Sequence, residues 1–203
     1  MSGIYREVLG SAFDRLRPEL RDYFSLPVGA VGTGTGTFAR AGCPRPALRP
    51  LMRAVPLRGA FFGDYGEQVP FSIENRAHRD AAGRPALTAV RTFRFPSATR
   101  IFEDTTTLVA PGRLQDALGT GRRLVTGLAL SPRADGALVM DSFGAALHLG
   151  PVRVPLPGPV GASARVVQWW DAASGRFRIS AEVRQRQLGT VFVYDGAFDY
   201  AVG

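Results

Sequence analysis

From residue 69 to the C-terminus, apolar side chains recur at every second position and never settle into a helical period. Val69, Phe71 and Ile73 alternate with Ser72, Glu74 and Arg76. After a turn-rich Asp80-Ala-Ala-Gly83 the pattern resumes, with Leu87, Ala89, Arg91, Phe93 and Phe95 on one face and Thr88, Thr92 and Arg94 on the other. A period of two places alternate residues on opposite faces of a strand, so this stretch reads as a hairpin. Further strands are expected at Thr99–Val109, Arg113–Leu118, Arg123–Leu130, Ala137–Phe143, Ala145–Leu149, Ala162–Trp170, Arg176–Arg184 and Thr190–Tyr200. Turn signals separate them: Ala110-Pro-Gly112, Pro132 to Gly136, Gly150-Pro151, Gly158-Pro159, Asp171 to Gly175 and Gly189. With no helix between them, successive strands pair antiparallel as neighbours. About ten strands exceed what a flat open sheet holds comfortably. The fold expected is mainly β: an antiparallel closed or strongly curved β-barrel, calycin-like in outline, as a single domain over residues 1–203.

The helical signal is confined to the N-terminal segment, about residues 3–55. Ile4, Tyr5, Val8 and Leu9 share one helical face and Gly10 is a natural stop. Ser11 with Asp14 suggests a capping-box variant, Phe13, Leu16, Leu20 and Phe24 form a second apolar face, and Pro18 breaks or restarts the helix. A third short helix is expected over Pro46–Val55, with Leu48, Leu51, Met52 and Val55 on one side. Between them, Gly29-Ala-Val-Gly-Thr-Gly-Thr-Gly-Thr-Phe38 imitates a phosphate-binding loop. Thr37 breaks Gly-x-Gly-x-x-Gly, however, and no Gly-Lys-Ser/Thr follows. Strict alternation of glycine with Thr33, Thr35 and Thr37 reads as a strand whose small residues face something bulky.

Several blocks then show a resemblance: Tyr5-Arg-Glu-Val-Leu-Gly-Ser-Ala-Phe-Asp-Arg-Leu16, Val69-Pro-Phe71 with Asn75, and Arg91-Thr-Phe-Arg-Phe-Pro96. Gly175-Arg-Phe-Arg-Ile179, Leu188-Gly189 and Tyr194-Asp-Gly196 complete the set. The chain resembles the bacterial, and notably actinobacterial, family called domain of unknown function 4166, over nearly its whole length. The resemblance implies a single-domain module that in some relatives is appended to Rossmann-type oxidoreductases. It carries no catalytic residues over to this chain.

Composition excludes more chemistry than it suggests. All 25 basic residues are arginine, so there is no lysine for a Schiff base, a pyridoxal phosphate anchor or a phosphate loop. Cys43, His78 and His148 are far apart and make no zinc pattern, and no Gly-x-Ser-x-Gly elbow is present. No metal or cofactor is expected. His78, beside the Arg79-Asp80 turn, reads as exposed, and His148 as a partly buried structural residue. The net charge of +8 comes from arginines scattered from Arg6 to Arg186, with no run longer than Arg122–Arg123, which argues against nucleic acid. No apolar run approaches the length of a membrane span, and neither a secretion signal nor a disulfide pair is apparent. A cytoplasmic protein is therefore expected. A homodimer or an oxidoreductase partner stays open.

What remains for a site is arginine, carboxylate, amide and aromatic groups. Several polar residues share parity with apolar ones: Asn75, Arg91, Asp141, Gln168 and Tyr194. A buried polar group without a partner costs on the order of 1–3 kcal/mol, so Arg91 and Asp141, if inward, need partners. Either an internal Arg–carboxylate pair fixes the register, or Arg91, Asn75 and a carboxylate orient the polar group of an apolar ligand. A bulge could also have reversed a face. Of the adjacent Glu103 and Asp104 only one can point inward: Ile101 favours Glu103, Phe102 and Leu108 favour Asp104. One of Trp169 and Trp170 faces in. The function expected is cofactor-independent cyclisation or isomerisation of a hydrophobic, polyketide- or terpenoid-like substrate held in the barrel. Arg91, Asp141 and Glu103 are the candidate catalytic groups, and Asn75, Gln168, Trp170, Tyr194 and Phe93 the substrate-binding ones. The alternative is a non-catalytic carrier of hydrophobic ligands, or an accessory module of an oxidoreductase.

Overall fold

The computed structural model describes residues 3–54, 57–150, 152–157 and 160–203. Its N-terminal part holds helix α1 (Ile4–Leu9), a 3-10 turn over Gly10–Arg15, α2 (Pro18–Phe24), strand β1 (Val31–Gly42) and α3 (Arg49–Ala54), the last entered through a 3-10 turn at Pro46–Leu48. Then follow β2 (Tyr65–Arg79), β3 (Pro85–Phe95), β4 (Ala98–Ala110), β5 (Arg113–Leu118), β6 (Leu124–Pro132), β7 (Leu138–Leu149), β8 (Val152–Pro155), β9 (Ala162–Asp171), β10 (Arg176–Gln185) and β11 (Gly189–Val202).

Every pairing is antiparallel. The sheet runs β6-β5-β4-β3-β2-β1-β11-β10-β9-β7 and closes through β6–β7 into a ten-stranded barrel, with β8 an extra strand on the end of β7. Closure removes the free edges that so many strands would otherwise expose. The interior is apolar and the outer wall polar: on β1 and β2, Phe38, Val69, Phe71 and Ile73 are buried, while Thr33, Thr35, Thr37 and Glu67 are exposed. Among the described residues no helix is long and apolar enough to cross a membrane.

The glycine–threonine stretch is β1, and its glycines have a steric cause. A Cβ on Gly32 would sit 1.9 Å from the Tyr200 hydroxyl, and one on Gly36 would sit 2.1 Å from the Ala197 carbonyl oxygen. These gaps admit the large inward residues Phe198 and Tyr200 of β11. Phe38, Phe71 and Phe93 stack beside them, with ring centroids 3.7 and 5.0 Å from Phe38 to the other two. This aromatic block fills the β1–β3 side of the barrel and leaves the opposite side hollow.

Helices α1 and α2, with the 3-10 turn between them, plug one end, here called the helical end. Pro18 starts α2 in its first turn, as its ring permits, and Phe13, Leu16, Leu20, Tyr23 and Phe24 are buried. The Ser11–Asp14 capping box does not form, because the chain tightens into the 3-10 turn after Gly10 (φ +53°). Asp14 instead meets Arg6 at 3.3 Å. In the third helix Met52 turns inward while Leu51 stays exposed; Val55 lies outside the described residues, as do Pro151, Gly158 and Pro159 of two expected turns. The two strands expected at Ala137–Phe143 and Ala145–Leu149 are one strand, β7, bulged at Gly144 (φ +62°) with a register shift against β6 between Val125 and Gly127. Thr126 fixes the bulge by donating to the Phe143 carbonyl at 2.8 Å.

Candidate functional site

The hollow side encloses a cavity of about 450 Å³ that runs from the helical end towards α3 and the β7–β8 hairpin. Its walls are mainly Leu, Val, Ala, Phe and Met, and its polar groups gather beside the helices. Strand register explains the gathering. Thr106, Asp116 and Thr126 face one another across β4, β5 and β6. Asp104 and Arg91 lie on the neighbouring inward positions of β4 and β3. Asn75 on β2 and Gln168 on β9 complete the ring, and Tyr5 and Tyr23 enter it from α1 and α2.

Arg91 forms a charge-assisted hydrogen bond to Asp104. Its guanidinium also lies 5.8 Å from the ring centroids of both Phe102 and Tyr194. Burial works against its positive charge, but Asp104, Tyr194 and Tyr23 outweigh burial and raise its pKa. Thr106 donates to Asp116 at 3.0 Å. Burial, reinforced by the Asp104 charge, pushes the Asp116 carboxyl up to about 8 against the pull of Thr106 and Arg91. Burial thus biases Asp116 toward its neutral form, which can donate a hydrogen bond or a proton. Burial also raises the phenols: Tyr194 to about 12, and Tyr5, Tyr23 and Tyr200 upward as well. All four remain neutral near pH 7.

Asn75 spends both amide hydrogens inside the protein, on the Tyr23 hydroxyl at 2.9 Å and the Tyr200 hydroxyl at 3.0 Å. Its Oδ1 is buried with no partner, as are Arg91 Nε and Gln168 Nε2; Gln168 gives the Tyr23 hydroxyl only a weak contact. One acceptor and two donors are therefore unspent at the polar end of an apolar cavity.

Of the residues expected from sequence, Arg91, Asn75, Gln168 and Tyr194 line this cavity together. Phe93 does not: it is fully buried in the aromatic block. Trp170 faces inward but lies behind the cavity wall, edge-on to Phe177 at 4.9 Å, while Trp169 faces out beneath Arg178. Asp141 points outward, 44% exposed, and pairs with Arg165 at 3.4 Å. Its parity was misleading because Val139 is buried on the outer face and Phe143 lies across Gly127, whose missing side chain makes room for the ring. Glu103 also lies on the outer wall, under the 57–61 segment, where its amide donates to the Gly59 carbonyl at 2.6 Å. The inward acid of that pair is Asp104, following Phe102 and Thr106. Asp116 was missed although it alternates with Leu114 and Leu118; Tyr5 shares a helical face with Ile4, Val8 and Leu9, but nothing in the sequence shows that this face, or Tyr23, docks into the barrel. His78, expected exposed, is half-buried and bonds Thr88 Oγ1 at 2.9 Å; His148 is half-buried on the β7–β8 hairpin. Among the described residues no three His, Cys, Asp or Glu side chains converge as metal ligands would.

Fold and site together define a ten-stranded antiparallel barrel with an internal, mostly apolar cavity polarised at one end. The chain belongs to the family described as Domain of unknown function (DUF4166), whose sequence profile matches residues 16–198. It is 27% identical over 199 residues to "Uncharacterized protein YndH" of Bacillus subtilis (strain 168), covering 98% of this chain and 97% of that protein. That relative comes from a Bacillus, and it lends no support to the expected actinobacterial source.

Proposed function

We propose that the barrel binds an apolar small molecule with one polar terminus, lodged against Arg91, Asn75 and Gln168. The three unpartnered buried atoms carry this reading. They ask for a group that donates to Asn75 Oδ1 and accepts from Arg91 Nε and Gln168 Nε2, as a hydroxyl or a carboxylic acid does. A volume of about 450 Å³ lies within the range of sites that bury drug-sized molecules, and the lining supplies the apolar contact. The test is titration with the fluorescent reporter 1-anilinonaphthalene-8-sulfonate, followed by displacement with long-chain alcohols and fatty acids. Saturable binding of one reporter, displaced by polar-ended chains far better than by the parent alkanes, supports the reading. Equal displacement by alkanes sinks it.

A second reading, turnover of the bound molecule without a cofactor, is favoured by the buried carboxyl of Asp116, its pKa raised by burial and the Asp104 charge, beside the Arg91–Asp104 pair. In an isomerisation or cyclisation, Asp116 would deliver a proton, and the donors Arg91 Nε and Gln168 Nε2 would stabilise developing negative charge. Tyr194 would hold the substrate against that end. Asp116→Asn is expected to keep reporter affinity while abolishing turnover of a substrate found by extraction; unchanged turnover would rule the role out.

A further inference from the structure

The arginines scattered along the sequence are not scattered in space. At the end opposite the helices, the cavity is rimmed by the 43–63 segment with α3, the 119–123 turn, and the β7–β8 hairpin with the chain that follows it. None of residues 43–63, 119–123 or 142–162 is aspartate or glutamate. The same segments carry Arg53, Arg58, Arg122, Arg123 and Arg153, all exposed. None of these five is ion-paired among the described residues. They belong to one rim: Thr120 donates to the Arg58 carbonyl at 2.9 Å, His148 to the Arg123 carbonyl at 2.7 Å, and Arg153 pairs with His148 across β7–β8. The turns at the helical end differ, since Asp80 pairs with Arg84 and Asp135 with Arg133. The carboxylates beside this rim are Glu103, half-buried on the wall beneath Gly59, Asp64, which pairs with Arg100 at 2.7 Å, and the exposed Glu67 at the start of β2.

Apolar surface is interleaved with these cations. Leu149 is 51% exposed, Val152 57% and Val160 68%, with Leu51 and Val154 also open. On the hairpin, Leu147 pairs with Val154 and Leu149 with Val152. Leu147 lines the cavity, so its face of the hairpin continues the cavity wall outward, past the barrel rim. His148 and Arg153 occupy the other face. Alternation within a short two-stranded ribbon therefore yields an apolar side facing the mouth and a basic side beside it.

We infer that this rim docks on the surface of an anionic lipid bilayer, the hairpin's apolar face and Leu51 entering the headgroup region while the arginines meet lipid phosphates. Exposed apolar residues flanked by arginine, in segments without acidic residues, suit an interfacial site, where each cation near an anionic surface adds to binding. The continuous apolar face would let a hydrophobic molecule pass between bilayer and cavity without crossing water. That purpose rests on the ligand-binding reading, but the docking itself does not.

The experiment is cosedimentation of the full chain with vesicles of phosphatidylcholine alone or with a third phosphatidylglycerol, at 50 and 300 mM salt. Binding to the anionic vesicles that weakens with salt and is absent on phosphatidylcholine is expected. Two variants then separate the components. Arg58→Ala with Arg153→Ala is expected to weaken binding roughly thirtyfold. Leu149→Ser with Val152→Ser, both at exposed positions, is expected to weaken it at least tenfold. Both should retain wild-type reporter binding in the cavity, which separates failure of docking from failure of the ligand site. No binding to anionic vesicles at 50 mM salt overturns the inference. So does wild-type binding by the serine variant, because the rim would then be a general polyanion surface of the kind a nucleic acid or acidic protein also fits.

Discussion

Breaking the Arg91–Asp104 pair should be among the most damaging single changes available in the barrel, yet replacing both partners should be mild. The side chains are only 12% and 13% exposed, so each charge has given up most of its water and depends on the other. Asp104→Leu leaves the guanidinium buried without its counter-ion. Loss of one member of a buried pair costs about 3–5 kcal/mol. For a domain of this size each kcal/mol shifts Tm by about 2–4 °C, so Tm should fall by about 6–20 °C. Arg91→Met should cost a similar amount, since it strands Asp104 beside Asp116. The double variant Arg91→Met/Asp104→Leu buries apolar groups of comparable size and should return to within about 1 kcal/mol of the wild type. Urea unfolding of the four proteins at pH 7 closes the cycle. If each single change costs less than about 1 kcal/mol, the pair is not desolvated as described. If the double variant shows the sum of the single losses, the two side chains are not coupled. In the double variant polar-ended chains should also lose part of their advantage over alkanes in displacing the reporter, because one of the two donors at the polar end is gone.

Asp116 sets a pH slope. Its folded-state pKa lies above that of an unfolded aspartate, so the folded chain holds a proton that the unfolded chain has lost. Stability therefore falls as pH rises from about 4 to about 8, by up to about 1.4 kcal/mol per unit. Asp116→Asn should flatten thermal-melting midpoints measured across pH 5–8 and exceed the wild type at pH 9; parallel curves would contradict this. Tyr23→Phe removes the oxygen that accepts from Asn75 at 2.9 Å and should cost about 1–3 kcal/mol in urea unfolding, with reporter affinity also reduced. Gly36→Ala forces a methyl to 2.1 Å from the Ala197 carbonyl oxygen at the β1–β11 seam, a clash with backbone that cannot swing aside. A loss of about 3 kcal/mol or a failure to fold is expected, read by circular dichroism and yield.

The barrel was legible in sequence because its evidence is redundant. Ten stretches of period-two alternation, each ended by glycine or proline, admit few other arrangements. Gly32, Gly34 and Gly36 also betrayed their strand, since only close packing explains glycine on every inward position. Legibility failed where a face had to be chosen from one or two neighbours. Around Asp141, the outward Val139 and Phe143 imitate an inward pattern, and Gly144 then shifts the parity of everything after it. At Glu103–Asp104, Ile101 is exposed on the outer wall and misdirects in the same way. The polar end of the cavity is harder still, because half of it is tertiary. Tyr5 and Tyr23 arrive from helices whose docking leaves no trace in strand alternation. The basic rim was hidden for the opposite reason: its segments are far apart in the chain, and only the closure of the barrel collects them at one mouth.

The account stands on the cavity being occupied by an apolar molecule with a polar end. The direct measurement is mass spectrometry of material extracted from the protein purified without detergent, beside the variant Ala164→Phe, which fills the cavity wall on β9. A molecule with an apolar body and a hydroxyl or carboxyl end, recovered near one per wild-type chain and absent from the folded variant, is the predicted result. Equal recovery from both proteins, or a recovered molecule without a polar terminus, would contradict it.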